Sequence, residues 1–196
     1  MVIHTPEHQR SIAELRDEQL ELVAEAWRKR AGAARAEGFG YIHALVNEGR
    51  EAGASLPHTH SQLAWFREPP PAAVAESRAW LPDGERVLER DGLVLLCPWA
   101  SRLPYEMLVA PIEPEAGAFD SALLGPALAL AAEGVRRLRA VESEAPLNLW
   151  LHDVAWWHVE LLPRLSTLAG LELGAGIYVN TLTPEEAALR LGSASA

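Results

Sequence analysis

The sequence predicts an α+β chain of two related halves, each with an antiparallel sheet and one long helix, the first half incomplete. Three observations lead there. Two long amphipathic stretches, residues 11–37 and 121–140, each precede a strand, a turn and a histidine-bearing strand. The apolar runs between them are short, alternate in character and are punctuated by Gly and Pro, as antiparallel strands are. The first half has only Val2, Ile3 and His4 ahead of its helix, while the second has three strands ahead of its own.

In the first stretch, Ser11 with Glu14 forms a capping-box pattern. Leu15, Leu22, Val23 and Ala26 then recur at helical spacing, and Gly38 ends the run. Residues 41–47 are β-prone, 48–55 form a turn with two glycines, and 58–66 return as a hairpin partner. The prolines at 69–71 break that strand, and a short helix is expected around Val74 to Trp80, followed by the turn LPDGE. Asp91-Gly92 joins strands at 86–90 and 93–97, a strong hairpin signal. A third strand lies in YEMLVAPIEP, and LNLWLHD and WWHVELLP are two more. Thr183 with Pro184 opens a final short helix. The domain expectation is 1–70 for the first half and 71–196 for the second.

The chain has 196 residues, is 49% hydrophobic and carries a formal net charge of −10, so it can bury a core. That charge argues against nucleic-acid binding, which needs a basic face. Lys29 is the only lysine, so phosphate contacts fall to Arg, backbone N–H groups and neutral side chains. Cys97 is the only cysteine; it sits in an apolar strand and is expected to be buried and inert. No signal-like or membrane-length apolar run is visible, and a cytoplasmic location is the expectation.

His58 and His60 share a strand face because side chains alternate. Two glycines, Gly49 and Gly53, lie just upstream, where successive N–H groups form an anion-binding nest. Ser55 and Gln62 add neutral donors. Nucleophile and phosphoryl donors together suit attack on phosphorus, although a hydrogen-bonded structural pair is the alternative. His152 and His158 lie near Trp150, Trp156 and Trp157, where an aromatic cluster competes with a metal site.

NEGREAGASLPHTHSQ, residues 47–62, resembles the active-site segment of the galactose-1-phosphate uridylyltransferase family, within the histidine-triad superfamily. WHVELLPRLSTLAGLELGAGIYVNTLTPEEAALRL resembles the C-terminal segment of its bacterial and ADP-glucose phosphorylase-like branch, and CPWASRLPYEMLVAP its second-half strands. The resemblance implies two tandem histidine-triad folds and nucleotidyl transfer from UDP-glucose to galactose 1-phosphate through a nucleotidyl-histidine. It makes His60 the nucleophile and Asn47, Gly53, Ser55 and Gln62 the phosphoryl-binding set. It implies a homodimer and small-molecule partners, a nucleotide sugar and a sugar phosphate, with no nucleic acid and no membrane. The same resemblance leaves open an ADP-glucose or dinucleoside-polyphosphate phosphorylase or hydrolase, or a non-catalytic remnant.

Zinc or iron enters only through the resemblance. His58 matches one zinc-binding position, and Glu76, His152 and His158 match three of four ligands of a second site. The fourth falls on Trp156, which cannot ligate, so no metal is favoured and hydrogen bonds from His152 and His158 to Glu76 or Asp153 are expected instead. Thr59 stands where the family's motif has proline, and the family's first strands are missing from this sequence.

Overall fold

The structure, a computed structural model, describes residues 1–79, 83–143 and 145–194, with side chains described for all of these except 76–79. The strands form one eight-stranded sheet in the order β1-β3-β2-β7-β8-β6-β5-β4, with every neighbouring pair antiparallel. Their ranges are β1 (Val2–Ile3), β2 (Tyr41–Glu48), β3 (His60–Phe66), β4 (Gly84–Arg90), β5 (Leu93–Pro98), β6 (Met107–Pro111), β7 (Leu147–His152) and β8 (His158–Pro163). The expectation of a separate sheet for each half is therefore corrected. β2 and β7 pair from Leu45↔Trp150 to Glu48↔Leu147, because each offers the other an unpaired edge.

The long helices α1 (Asp17–Ala36) and α3 (Leu124–Glu142) pack on each other and on one face of this sheet. Alternation decides which residues meet them. Ile42, Ala44 and Val46 of β2 and Leu147, Leu149 and Leu151 of β7 point into the main core with Trp27, Leu130 and Leu138. Trp27 is fully buried, and its indole N–H donates to the Ser61 hydroxyl at 2.7 Å, which ties α1 to β3. The intervening residues, including Asn47, His60, Gln62, Asn148, His152 and His158, project from the opposite face.

Helix α1 starts later than its capping box suggests. Ser11 instead caps a separate 3-10 turn, Ile12–Glu14, accepting from the Ala13 N–H at 3.1 Å. Glu14 reciprocates by accepting from the Arg10 N–H at 3.2 Å. The chain is extended at Leu15 and Arg16 before the helix begins. α2 (Pro71–Ala79) opens at the proline rather than at Val74, and part of the LPDGE turn lies outside the described residues. Asp91 and Gly92 both have positive φ, 53° and 79°, as a tight hairpin turn requires.

β1, the strand end ahead of the first turn, pairs Ile3 with His60, and α4 (Gly170–Ala175) was not anticipated. The last helix, α5 (Pro184–Ser193), is capped by Thr183, whose hydroxyl accepts from Glu186. Among the described residues no helix is long and apolar enough to cross a membrane.

Candidate active site

The β2–β3 hairpin builds the site. β2 delivers Asn47 to the outer face, and the β3 register places His60 across from it, next to the Val46↔Ser61 pair. The loop between them must turn sharply against β7. Gly49 has φ +84°, and a Cβ there would lie 3.0 Å from Pro146, so glycine satisfies both the dihedral and the contact. Gly53 closes the 3-10 turn Arg50–Ala52 in the left-handed conformation. The N–H groups of Ala52, Gly53 and Ala54 are spent inside this turn, on the carbonyls of Gly49, Arg50 and Gly49 respectively. That corrects the nest expectation, since those three donors do not face outward.

His60 is 1% exposed. Its Nδ1 lies 2.8 Å from the carbonyl of His58. A carbonyl only accepts, so Nδ1 carries the proton and Nε2 keeps the lone pair. That Nε2 is buried and has no hydrogen-bond partner among the described residues. It is a positioned imidazole nitrogen with no donor in the way, which is what nucleophilic attack needs.

The strand end that holds His60 is clamped by the segment ahead of α1, through His4, Thr5, His8 and Gln9. Thr59 donates its N–H to Gln9 at 2.8 Å, a bond that proline could not make. Its hydroxyl lies 2.9 Å from Nδ1 of His4. His4 is 1% exposed, and burial, together with the neighbouring His60 and His58, lowers its pKa to about 3, so it is neutral. His58 donates from Nε2 to the carbonyl of Thr5 at 2.9 Å, and its ring packs edge-on to His8 at 5.6 Å. The only earlier hint of His4 was its place in the short segment ahead of the helix.

Asn47 and Ser55 line a cleft of about 520 Å³, with Gly49, Leu56 and Pro57 beside them. Asn148, opposite Asn47 in the β2–β7 ladder, donates from Nδ2 to the Asn47 Oδ1 and to the Ala52 carbonyl, both at 2.8 Å. Arg164 donates to the Asn148 Oδ1 at 3.1 Å and so fixes that amide's orientation. With its Oδ1 accepting, Asn47 presents its NH₂ as the remaining donor. Gln62 shares the outer face with His60, two residues along β3, but neither it nor His60 lines this cleft.

His152 and His158 form a second cluster, on the outer face of β7 and β8. Their rings stack at 4.2 Å with an interplanar angle of 17°. His152 Nε2 lies 2.9 Å from Glu160, which Arg102 also meets, and Arg102 in turn bonds Glu106. Burial, with His152 beside it, lowers the His158 pKa to about 3. Asp153 is not their partner: it accepts from the Ala118 N–H at 2.8 Å and faces Arg35. The Glu76 side chain lies outside the described residues.

These residues fit a resident metal poorly. Ring lone pairs lie in the ring planes, so parallel stacked imidazoles do not converge on one ion. Trp156 spends its indole N–H on the Pro111 carbonyl at 2.9 Å, and His58 spends Nε2 on Thr5. Among the described residues no group of three His, Cys, Asp or Glu side chains is placed to hold a metal. Cys97 is buried, and burial, with Glu106 and Glu85, pushes its thiol up to about 12, so it is not a nucleophile at neutral pH.

Residues 1–69 match the family described as galactose-1-phosphate uridyl transferase, N-terminal domain. An ADP-glucose phosphorylase of Arabidopsis thaliana is 25% identical over 96% of this chain and 62% of its own length. A galactose-1-phosphate uridylyltransferase of Thermotoga maritima is 25% identical over 97% of this chain and 72% of its own. The chain therefore spans under two thirds of the first of these and somewhat more of the second. The crystal structure of an Arabidopsis thaliana ADP-glucose phosphorylase with bound ADP-glucose superposes with a TM-score of 0.86 at 20% identity, over 98% of this chain and 71% of that one. Over residues 1–69 the chain is thus similar to the N-terminal domain of galactose-1-phosphate uridyl transferases, and over nearly its whole length to these two relatives.

Proposed function

We propose that the protein transfers a nucleotidyl group from a nucleoside-diphosphate hexose to a second phosphate, through a covalent intermediate on His60. The observation that carries this reading is the state of that imidazole. Nδ1–H is held on the His58 carbonyl, and Nε2 is buried and unpartnered among the described residues.

In the first step the Nε2 lone pair attacks the α-phosphorus. The N–P bond forms as the bond to the bridging oxygen breaks, and hexose 1-phosphate leaves with that electron pair. The Nδ1–H···O=C bond stabilises the positive charge that grows on the ring. In the second step an oxygen of the acceptor phosphate attacks the same phosphorus, and Nε2 departs as neutral imidazole. Two displacements replace one harder one, and ping-pong kinetics follow. The Asn47 NH₂ and the Ser55 hydroxyl are the donors suited to the phosphoryl oxygens.

UDP-glucose with galactose 1-phosphate is the substrate pair we propose, from the match of residues 1–69 and the Thermotoga maritima relative. The equally identical ADP-glucose phosphorylase supports ADP-glucose with inorganic phosphate as the competing pair. Incubation with each nucleotide sugar, labelled in its nucleotide, tests both. Wild type should take up label and His60→Ala none; a wild type that stays unlabelled with either sugar overturns the reading.

We further propose two tandem halves, residues 1–70 and 71–196. The registers support it. A twofold through the Leu45↔Trp150 pair carries Asn47 to His152, His58 to Trp156 and His60 to His158. His158 repeats the His60 contact, with Nδ1 3.2 Å from the carbonyl two residues earlier. A homodimer is also proposed: β1 covers β3 only at His60 and Ser61, so residues 62–66 keep an open edge.

A further inference from the structure

The cleft beside Asn47 holds cations that the phosphoryl-binding set does not include. Arg10 comes from the segment before the 3-10 turn, Arg50 from the β2–β3 loop and Arg139 from the last part of α3. Three separate elements thus bring guanidinium groups to one concavity in a chain of net charge −10.

The carboxylates present do not match them. Arg10 and Arg50 form no ion pair among the described residues. Arg139 has Glu14 at 3.8 Å and Glu48 at 3.9 Å, both beyond hydrogen-bond length. Glu48 is already engaged, accepting from the Ser11 hydroxyl at 2.6 Å and the Ile12 N–H at 2.7 Å. Burial also raises its pKa, which weakens it further as a counter-charge. Glu51 is the other acid in the lining, and it is exposed. Meanwhile the Nε of Arg139 is buried with no acceptor among the described residues, a state that costs free energy until an acceptor arrives.

Size separates the ligand classes. A cleft of about 520 Å³ is far larger than a single ion needs and suits a phosphate attached to an organic group. Asn47 lines this cleft and lies across the β2–β3 pair from His60, so the cleft opens beside the His60 face.

We propose that Arg10, Arg50 and Arg139 form a second phosphate subsite, which holds the phosphate that is never bonded to His60: that of the leaving, and then of the accepting, phosphate compound. This rests on the nucleotidyl-transfer reading above. Planar guanidinium forks from three directions suit the oxygens of a terminal phosphate, whereas Asn47 and Ser55 serve the transferred group.

Calorimetric titration with inorganic phosphate and with pyrophosphate tests it without any turnover. Wild type should bind both, with affinity falling as salt rises. Arg139→Gln should weaken phosphate binding roughly tenfold, and Arg139→Lys less, because charge survives and the fork does not. His60→Ala should bind phosphate as wild type does. Arg86→Gln, on β4, is the remote control. If Arg139→Gln does not fold, the exposed Arg10→Gln carries the test, with about threefold weakening expected. Unchanged affinity in a folded Arg139→Gln or Arg10→Gln overturns the subsite, as does a wild type that binds neither anion or a His60→Ala that loses binding. Labelling of His60 is scored separately: label without arginine dependence sinks the subsite alone, and arginine-dependent phosphate binding without label sinks the transfer reading alone.

Discussion

Replacing Asn148 by alanine removes a side chain that joins β2 and β7, the 49–54 loop and Arg164. Three hydrogen bonds go: two donated from Nδ2, to Asn47 and to the Ala52 carbonyl, and one accepted from Arg164. Each is worth a net of about 1 kcal/mol, and water reaches part of the vacated site. The expected loss is therefore about 2–3 kcal/mol in unfolding free energy, read from urea titrations with an unchanged slope. Part of that loss belongs to the pair with Asn47. A double-mutant cycle with Asn47→Ala should show a coupling of about 1 kcal/mol. The Asn47 amide also loses the contact that sets which end faces the cleft, so His60 labelling should slow even where the variant is fully folded. A loss under about 0.5 kcal/mol, the range of an ordinary surface substitution, would refute the reasoning. So would a cycle that closes without coupling.

Acid should destabilise the fold through His4 and His158, both held near pKa 3. Between pH 3 and 6.5 the unfolded chain binds these protons and the folded one does not, so stability falls as pH falls, by about 1.4 kcal/mol per unit per histidine. From pH 7 to 5 the pair should cost about 4 kcal/mol. Glu48 and Asp153, raised by burial, act in the opposite sense, so the check is the difference between wild type and His158→Gln, whose urea midpoints should converge as pH drops. Gly84→Ala should cost about 1–3 kcal/mol, because the new Cβ would meet the Cys97 carbonyl oxygen and the Pro98 Cα, which are backbone and cannot step aside; a wild-type melting temperature would contradict this. Ser61→Ala should cost about 1–3 kcal/mol by leaving the Trp27 indole N–H buried without its acceptor, a loss that calorimetry or denaturant titration would detect. Cys97 should resist thiol reagents in the native state and react only on unfolding.

Most element positions were legible because each is written in local chemistry. The Asp91-Gly92 turn, the Thr183 cap and the alternation in 41–47 each name their structure within a few residues. The join of β2 to β7 was not legible, since nothing in YIHALVN states that its partner lies in LNLWLH. The same limit hid Asn148, which looks like one polar residue in a strand until Asn47 stands opposite. His60, Asn47 and Ser55 were legible through the resemblance of residues 47–62, and the structure places Asn47 and Ser55 in one cleft. The three arginines were not, because their meeting depends on how α3 and the segment before α1 pack. Of the partners expected for His152, Glu76 lies outside the described residues and Asp153 is engaged by the Ala118 N–H and Arg35, while Glu160, two residues beyond His158, comes near because strand pairing, not sequence adjacency, sets distance.

The β2–β7 seam also sets how the chain reaches its native state. The β2–β3 and β7–β8 hairpins each close a short loop and form early, with little entropy lost. Glu48 meets Leu147 only after half of the chain has been gathered between them. Non-local pairing of that kind slows folding, so the seam is expected to be the late step, with two locally ordered pieces waiting on their docking. Until it closes, both hairpins expose an unpaired strand edge, and a newly made chain carries two surfaces suited to the wrong partner. Asn47 and Asn148 straddle the seam, so the candidate site is complete only once the seam has closed.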